Sequence, residues 1–257
     1  MYLEAIALCD VGRVRQNNED NYYVQGKVRQ NLAQQRTEET YMGTVNQSLF
    51  AVADGMGGES DGEVASLVVV QSLRSCSLEE ICDEAYNAVM EANEMICNEI
   101  MRKGGKRMGS TLTALYIDED KAVVCNIGDS RAYLMREGML TQISEDHTIV
   151  QQMVNMGAIT KEEARTHKKR HVLSQNIGIF PDELVIEPAF SEEIELQDGD
   201  LFLLCSDGLT DMVTDDEISE ILGKGSVYEQ GKKLVERALT NGGRDNVTVV
   251  LVKARNM

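Results

Sequence analysis

Residues 50–66 read FAVADGMGGESDGEVAS, and this stretch is the most informative about the fold. The apolar run at 49–53 has the length of a buried strand and ends at Asp54 and Gly55, and a helical pattern covers about 63–75 after a glycine-rich turn. A strand that ends in an acid next to glycine places a carboxylate at the rim of a rigid sheet, where another stretch of backbone can approach closely. The stretch therefore predicts a strand, an acidic turn and a helix in succession.

Strands and helices are grouped rather than strictly alternating along the rest of the chain. Further strands are predicted at 3–9, 21–24, 111–117, 122–127, 131–135, 201–205 and 247–252. Turn sequences at 118–121 and around Gly138 predict hairpins, so neighbouring strands should be antiparallel. Helices are predicted at 77–100, 149–155, 215–222 and 228–239, the first opened by Ser77 and Glu80 as a capping box. We expect one α+β domain over residues 1–257, with helices on both faces of packed antiparallel sheets.

The composition excludes several classes of function. The chain has 257 residues, 42% of them hydrophobic, and 25 Lys and Arg against 43 Asp and Glu leave a formal charge of −18. Phosphate backbones and acidic membrane surfaces repel such a chain, so we expect no nucleic acid partner. The six cysteines form no CxxC pair, and no window approaches the ~18 apolar residues of a membrane span. We expect a cytoplasmic monomer with reduced cysteines and no membrane insertion.

Four aspartates share one sequence context. Asp54, Asp129 and Asp207 end apolar runs that enter turns, and Asp245 immediately precedes such a run. The segment VRQNNED at 14–20 adds further candidate side chains after the first strand. Hard divalent cations prefer carboxylate and carbonyl oxygen ligands, so this repeated pattern indicates a cation site. The phosphate-binding loop GxxxxGK[ST], the dinucleotide motif GxGxxG and the nucleophile motif GxSxG are all absent from the sequence.

Seven segments resemble those of a known family. They are CDVGRVRQNNED at 9–20, FAVADGMGGESDGEVAS at 50–66, GSTLTALYI at 109–117, NIGDSRAYL at 126–134, EDHTIVQQMVNMGAIT at 145–160, LFLLCSDGLTD at 201–211 and GGRDNVTVVLV at 242–252. In this order they resemble the bacterial metal-dependent serine/threonine protein phosphatases of type 2C, over nearly the whole chain. The resemblance implies a four-layer αββα sandwich of two antiparallel sheets flanked by helices. It also implies a phosphatase that hydrolyses phosphoserine and phosphothreonine and opposes a serine/threonine kinase.

The resemblance assigns a role to each candidate residue. Asp54 would bridge two Mn²⁺ or Mg²⁺ ions, with the Gly55 carbonyl on one ion and with Asp207 and Asp245 on the other. Asp129, together with Asp207, matches the position of a third ion, Glu19 and Asp20 would act mainly through metal-bound water, and Arg15 would hold the substrate phosphate. A hydroxide that bridges the two ions would attack phosphorus directly, with Arg15, Asp54 and Asp207 as catalytic residues.

Two positions depart from the family pattern. Met56 stands where animal members carry a histidine that is thought to protonate the leaving group, so a water on the metal is the candidate donor here. The segment 27–46 is longer and more polar than the hairpin usual there, and the sequence gives it no function.

The region 156–176 matches the variable flap beside the catalytic cleft. It contains KKRH at 168–171, a basic cluster in an acidic chain, and we hypothesise that this cluster helps to recruit phosphopeptides. The first alternative function, another two-metal phosphoesterase, lacks its usual histidines and its GNH[ED] motif here. The second, a catalytically inactive member that binds a partner, usually lacks one of the metal acids, whereas this chain has them all.

Overall fold

The computed structural model describes residues 1–44, 47–57, 61–76 and 80–256. Its strands are β1 (Tyr2–Asp10), β2 (Asn21–Val24), β3 (Lys27–Val28), β4 (Arg36–Thr44), β5 (Gln47–Ala53), β6 (Gly55–Gly57), β7 (Met108–Ser110), β8 (Leu112–Asp118), β9 (Lys121–Ile127), β10 (Arg131–Arg136), β11 (Met139–Gln142), β12 (Ala189–Phe190), β13 (Ile194–Glu195), β14 (Leu201–Cys205) and β15 (Val247–Arg255). Its α-helices are α1 (Gly62–Ser72), α2 (Ile81–Arg102), α3 (Ile149–Asn155), α4 (Lys161–Thr166), α5 (Asp207–Thr210), α6 (Asp215–Leu222) and α7 (Val227–Thr240), with a short 3₁₀ turn at Leu73–Ser75.

The strands form two antiparallel sheets. The first sheet has the order β11-β10-β14-β15-β1-β4, and the second has the order β12-β9-β8-β5-β2-β3 with β13 also paired to β9. The strands β6 and β7 make a separate two-stranded ribbon. The hairpins expected at 118–121 and around Gly138 are present as β8–β9 and β10–β11.

Side-chain alternation along the strands explains the four layers. In β1, Leu3, Ala5, Ala7 and Cys9 pack between the two sheets, and Ile6 and Leu8 point to the opposite face. That opposite face of the first sheet is covered by the apolar sides of α6 and α7. The outer face of the second sheet is covered in the same way by α1 and α2. Because each sheet buries both faces, the fold is the expected αββα sandwich.

The predicted elements agree with the observed ones for most of the chain. The strands predicted at 21–24 and 201–205 and the helices predicted at 149–155 and 215–222 have the predicted bounds. The capping box proposed at Ser77 lies outside the described residues, and the observed helix α2 starts at Ile81. In the described part of the chain, no helix is both long and apolar enough to cross a membrane.

The segment 27–46 contains a strand that the sequence did not indicate. Strand β4 pairs with β1 over nine residue positions, from Tyr2 opposite Thr44 to Asp10 opposite Arg36, and forms the edge of the first sheet. Its sequence, RTEETYMGT, is polar because one face of this edge strand lies in solvent. The segment therefore leads the chain from β3 of the second sheet to an edge strand of the first sheet.

Candidate metal centre

The four aspartates lie together at one end of the sandwich. Asp54 follows β5, Asp129 lies between β9 and β10, Asp207 follows β14 and Asp245 precedes β15. All four line one cleft of about 520 Å³. Three other predicted site residues, Arg15, Glu19 and Gly55, line the same cleft. The structure thus brings together residues that are up to 230 positions apart in the sequence.

Asp20 is the predicted residue that does not line this cleft. It is fully buried beneath the cleft, where Ser206 donates a hydrogen bond of 2.7 Å from its Oγ to Asp20 Oδ2. The backbone N–H of Thr248 in turn donates to Ser206 Oγ at 3.0 Å. Asp20 therefore joins the loop after β1 to β14 and β15, which carry Asp207 and Asp245 at their ends.

The glycines that follow the aspartates allow backbone segments to meet. A Cβ added at Gly55 would lie 2.0 Å from the Gly62 carbonyl oxygen and 2.6 Å from that of Glu19. A Cβ added at Gly208 would lie 1.9 Å from the Asn246 carbonyl oxygen. Both Asp-Gly pairs thus need glycine for close approach of the chain rather than for an unusual turn conformation.

Hydrogen bonds from neighbouring side chains fix the acid-bearing loops. Thr111 Oγ1 accepts from the Asp54 N–H at 3.0 Å and lies 2.8 Å from Ser130 Oγ, next to Asp129. Asn246 accepts from the Glu19 N–H at 2.7 Å through its Oδ1 and donates through Nδ2 to two carbonyls of the 11–17 loop at 2.9 Å. These bonds hold the acids in position before any ligand arrives.

A buried arginine supports the loop that carries Glu19 and Asp20. Arg29, 2% exposed, donates from Nε and Nη2 to the Asp20 carbonyl at 3.0 and 2.7 Å, and from Nη2 to the Asn18 carbonyl at 2.6 Å. Its Nη1 donates to the carbonyls of Leu32 and Gln34 at 3.1 and 3.3 Å. The segment 27–46 therefore supplies the anchor of the site loop.

The crowding of carboxylates raises their pKa values. Burial, followed by the neighbouring charges of Asp20 and Asp207, raises the pKa of Asp54 well above its usual value. Burial and the charge of Asp207 do the same to the pKa of Asp129. Burial raises the pKa of Glu19 and of Asp20 to about 7. The chain alone thus leaves the negative charge of the cleft insufficiently balanced.

The donor set fits hard divalent cations. Asp20 Oδ1 is buried and has no hydrogen-bond partner among the described residues, so a polar atom is left for a ligand or a water. Every acidic side chain and the Gly55 carbonyl supply oxygen, the element that Mg²⁺ and Mn²⁺ prefer. Asp54, Asp207 and Asp245 can hold such ions directly, and a bound cation would also relieve the repulsion that raises the pKa of Asp54.

Arg15 lies at the rim of the cleft. Its Nη2 donates to Asp245 Oδ2 at 2.6 Å, while the side chain stays 53% exposed. The bond to Asp245 raises the pKa of Arg15, so its charge is constant at any physiological pH. An exposed guanidinium held by one carboxylate oxygen keeps further N–H groups for a phosphate.

The flap residues Arg170 and His171 reach the cleft from the opposite side. His171 Nδ1 lies 3.4 Å from Asp207 Oδ2, its Nε2 lies 3.2 Å from Asp211 Oδ2, and Arg170 Nη2 lies 3.6 Å from the same Asp211 oxygen. The hydrogen bond to Asp207 raises the pKa of His171. One ligand atom from each of Asp129, His171 and Asp207 lies within 4.8 Å of the others.

The structure divides the KKRH cluster in two. Arg170 and His171 line the cleft, whereas Lys168 and Lys169 are exposed and line neither this cleft nor the adjacent cavity. The hypothesis that this cluster helps to recruit phosphopeptides stays a prediction, and only Arg170 and His171 of its four residues line the cleft.

Several supporting residues were missed at the sequence level, namely Arg29, Thr111, Ser206, Asp211 and Asn246. Ser206 and Asn246 adjoin predicted acids, in SDG and RDN, and this adjacency was a usable signal. Arg29 gave no local signal, because its partners are set by the fold, and the basic cluster that contains His171 gave no indication of its contact with Asp207.

Comparisons with known proteins identify the family of the chain. The family model "Protein phosphatase 2C" matches residues 29–240. The chain is 38% identical over 256 residues to the serine/threonine protein phosphatase PstP of Mycobacterium tuberculosis, covering 98% of this chain and 45% of that protein. It is 35% identical over 254 residues to the serine/threonine phosphatase stp of Listeria monocytogenes, covering 95% of this chain and 93% of that protein. The chain therefore spans less than half the length of the mycobacterial relative.

Solved structures give the same result for the fold. A crystal structure of Mycobacterium tuberculosis PstP aligns with a TM-score of 0.83 at 36% identity, and covers both chains fully. The catalytic domain of PstP in complex with two manganese ions aligns with a TM-score of 0.80 at 35% identity, again over both full chains.

The fold and the site place the chain among four-layer αββα proteins with a carboxylate cleft suited to divalent cations. The chain belongs to the protein phosphatase 2C family.

Proposed function

We propose that the chain is a metal-dependent phosphoprotein phosphatase that hydrolyses phosphoserine and phosphothreonine. The observation that carries the proposal is the convergence of Asp54, Asp129, Asp207, Asp245 and Arg15 in one cleft. Relatives over the same fold are named serine/threonine phosphatases, and one was solved with two manganese ions. All the acids that the resemblance implies as metal ligands are present in the chain. Their presence disfavours the alternative of a catalytically inactive protein that binds a partner.

The resemblance implies a role for each acid, and the positions of the acids support these roles. Asp54 would be the central ligand, since it lies among the other carboxylates of the cleft. The Gly55 carbonyl, Asp207 and Asp245 would complete a site for two ions, and Asp129 with Asp207 would hold a third, weaker ion. Glu19 and Asp20 would act mainly through water. When bound, Mn²⁺ or Mg²⁺ would supply the Lewis acidity that activates water toward phosphorus and neutralises the phosphoryl charge.

Two side chains bear on how the protein binds the phosphate and protonates the leaving group, namely Arg15 and Met56. The guanidinium of Arg15 matches the geometry of phosphate oxygens and can orient the ester for in-line attack. The thioether of Met56 carries no acidic proton, so protonation of the leaving oxygen falls to water. Catalysis then rests on positioning and electrostatics rather than on a covalent enzyme intermediate.

The physiological role proposed is the reversal of phosphorylation by a serine/threonine kinase. A phosphorylated side chain brings about two negative charges at neutral pH, which the cations and Arg15 can accept inside an otherwise acidic protein. The partners are therefore phosphoproteins, among them the substrates of such a kinase.

A metal-dependence assay tests the proposal. Hydrolysis of p-nitrophenyl phosphate and of a phosphothreonine peptide is measured with Mn²⁺, Mg²⁺ or EDTA. We expect activity with a metal, none with EDTA, and a loss of about a hundredfold or more for Asp207→Asn. Asp216→Asn, an exposed acid on α6, is the matched control and should keep full activity. A wild type that is inactive with every metal, or an Asp207→Asn variant as active as the wild type, would contradict the proposal.

A further inference from the structure

A second cavity of about 650 Å³ opens beside the catalytic cleft. The two share part of their lining, including Asp129, Asp211 and Arg244, so they form one continuous surface. Helix α3 and the flap helix α4 form one wall of this second cavity, which we call the flap groove. A phosphopeptide with its phosphate in the cleft can therefore extend into the flap groove.

Helix α4 presents its cations to the groove. Lys161, Ala164 and Arg165 line it, as expected for positions i, i+3 and i+4 on one helical face. The two acids of the same helix, Glu162 and Glu163, do not line it. Glu163 is instead used in the capping box with Thr160. The helix is thus divided into a basic face toward the groove and an acidic face away from it.

Of the acids that line the groove, Asp146 and Asp211 have cationic partners, while Glu145 and Asp215 accept hydrogen bonds from neutral donors. Arg131 pairs with Asp146 at 2.7 Å, and Arg170 and His171 lie within 3.6 Å of Asp211. Glu145 accepts from Asn155 at 2.9 Å, and Asp215 accepts from the hydroxyl of Tyr133 at 3.3 Å. Asp129 and Asp207 belong to the proposed cation site.

Three of the cations that line the groove have no carboxylate partner in the described part of the chain. Among the residues that the structure describes, Lys161, Arg165 and Arg244 have no carboxylate oxygen within 4.0 Å. Arg244 is exposed and lines both the cleft and the groove, so it lies where the two meet. In a chain of charge −18, three unpaired cations in one groove make a local site for an anion.

We propose that the flap groove is a binding subsite for a second anionic side chain of the phosphopeptide substrate, a carboxylate or a further phosphate. Lys161 and Arg165 bind that group, and Arg244 binds it where the cleft meets the groove. The inference rests on the proposed phosphatase function and names a substrate class for it: phosphopeptides with an acidic or phosphorylated residue close to the target residue. The exposed pair Lys168 and Lys169 has no part in this subsite.

Three phosphothreonine peptides test the subsite. They are identical except at one position next to the phosphothreonine. That position is Gln in the first peptide, Glu in the second and a second phosphothreonine in the third. We expect the wild type to favour the Glu or doubly phosphorylated peptide over the Gln peptide by about tenfold in kcat/KM, mainly through KM. The double variant Lys161→Gln/Arg165→Gln should lose this preference. The double variant Lys168→Gln/Lys169→Gln removes the same charge from the flap and should keep it.

A preference for Glu alone or for phosphate alone identifies the source of the anion. Equal kcat/KM for all three peptides, or a preference that persists in Lys161→Gln/Arg165→Gln, overturns the proposal. Hydrolysis of p-nitrophenyl phosphate should be the same in all variants, because that substrate is too small to reach the groove. A wild type that does not hydrolyse p-nitrophenyl phosphate would instead contradict the proposed phosphatase function.

A binding measurement decides the subsite without turnover. Fluorescence anisotropy with the three labelled peptides and the Asp54→Asn variant gives their relative affinities. Asp54 lines the cleft and not the groove, so the groove stays intact in this variant. The same order of affinity is expected, and equal Kd values for the three peptides would refute the subsite.

Discussion

Replacement of Arg29 by methionine should destabilise the fold and loosen the metal centre together. Arg29 makes five hydrogen bonds to backbone carbonyls, three of which go to Asn18 and Asp20 on either side of Glu19. Methionine fills a similar volume and carries no donor. The Arg29→Met variant therefore removes the anchor of the loop. It leaves the buried Asn18 carbonyl without a donor among the described residues and the Asp20 carbonyl with only the Cys9 thiol, whose sulfur lies 3.8 Å away.

The magnitude can be worked from the bonds that are lost. Asn18 and Asp20 are buried, and an unsatisfied buried carbonyl costs about 1–3 kcal/mol. Two such groups cost about 2–6 kcal/mol of stability. Removal of the buried guanidinium also removes the desolvation penalty of its charge, which offsets part of this cost. We expect a net loss of about 3 kcal/mol in the free energy of unfolding, which lowers Tm by roughly 10 °C for a chain of this size.

Thermal unfolding in EDTA, followed by circular dichroism, measures this loss. Arg36→Met is the matched control, since Arg36 is 52% exposed and its carboxylate partner Asp10 lies 3.6 Å away. That control should change the free energy of unfolding by less than about 1 kcal/mol. Arg29→Lys keeps the charge without the planar fork and should be intermediate. A Tm for Arg29→Met equal to that of Arg36→Met would refute the reasoning.

Two further predictions concern pH and chain packing. Burial raises the pKa of Asp20 in the folded chain to about 7, and that of Asp54 well above its usual value. A raised folded-state pKa gives stability that is present below the unfolded pKa of about 4 and lost as pH rises through about 7. The Tm of EDTA-treated protein should therefore fall between about pH 4 and 7 and Mn²⁺ should remove the dependence, whereas a Tm that rises over this range would contradict the assignment. Gly208→Ala should cost about 1–3 kcal/mol in urea unfolding because its Cβ would overlap the Asn246 carbonyl, while Gly223→Ala has ordinary contacts and should stay within about 0.5 kcal/mol; equal effects would show that Gly208 is not needed for close approach.

Most of the fold could be predicted because the core strands carry local signals. The strands around Phe50, Leu115 and Phe202 are short apolar runs between turn residues, and their side chains alternate between two cores. Strand β4 gave no such signal, since an edge strand with one solvated face has a polar sequence. Helix α4 was missed for a related reason: it has no buried residue, and its start is fixed by the capping box of Thr160.

The candidate acids could be predicted because each lies next to a strand end, where local sequence and tertiary position coincide. The resemblance then supplied their roles, and the structure brings Asp54, Asp207 and Asp245 into one cleft. The contacts of Arg29 and His171 could not be predicted. They depend on how loops far apart in sequence pack together, as in the 3.4 Å approach of His171 to Asp207.

Titration calorimetry with Mn²⁺ tests the central claim most directly, because it measures the cation site without any substrate. The wild type should bind two Mn²⁺ ions per chain, with a weaker third at higher concentration. The Asp54→Asn variant should lose affinity at both principal sites by at least about tenfold, since one carboxylate is proposed to serve both ions. An Asp54→Asn variant that binds Mn²⁺ with the stoichiometry and affinity of the wild type would contradict the claim.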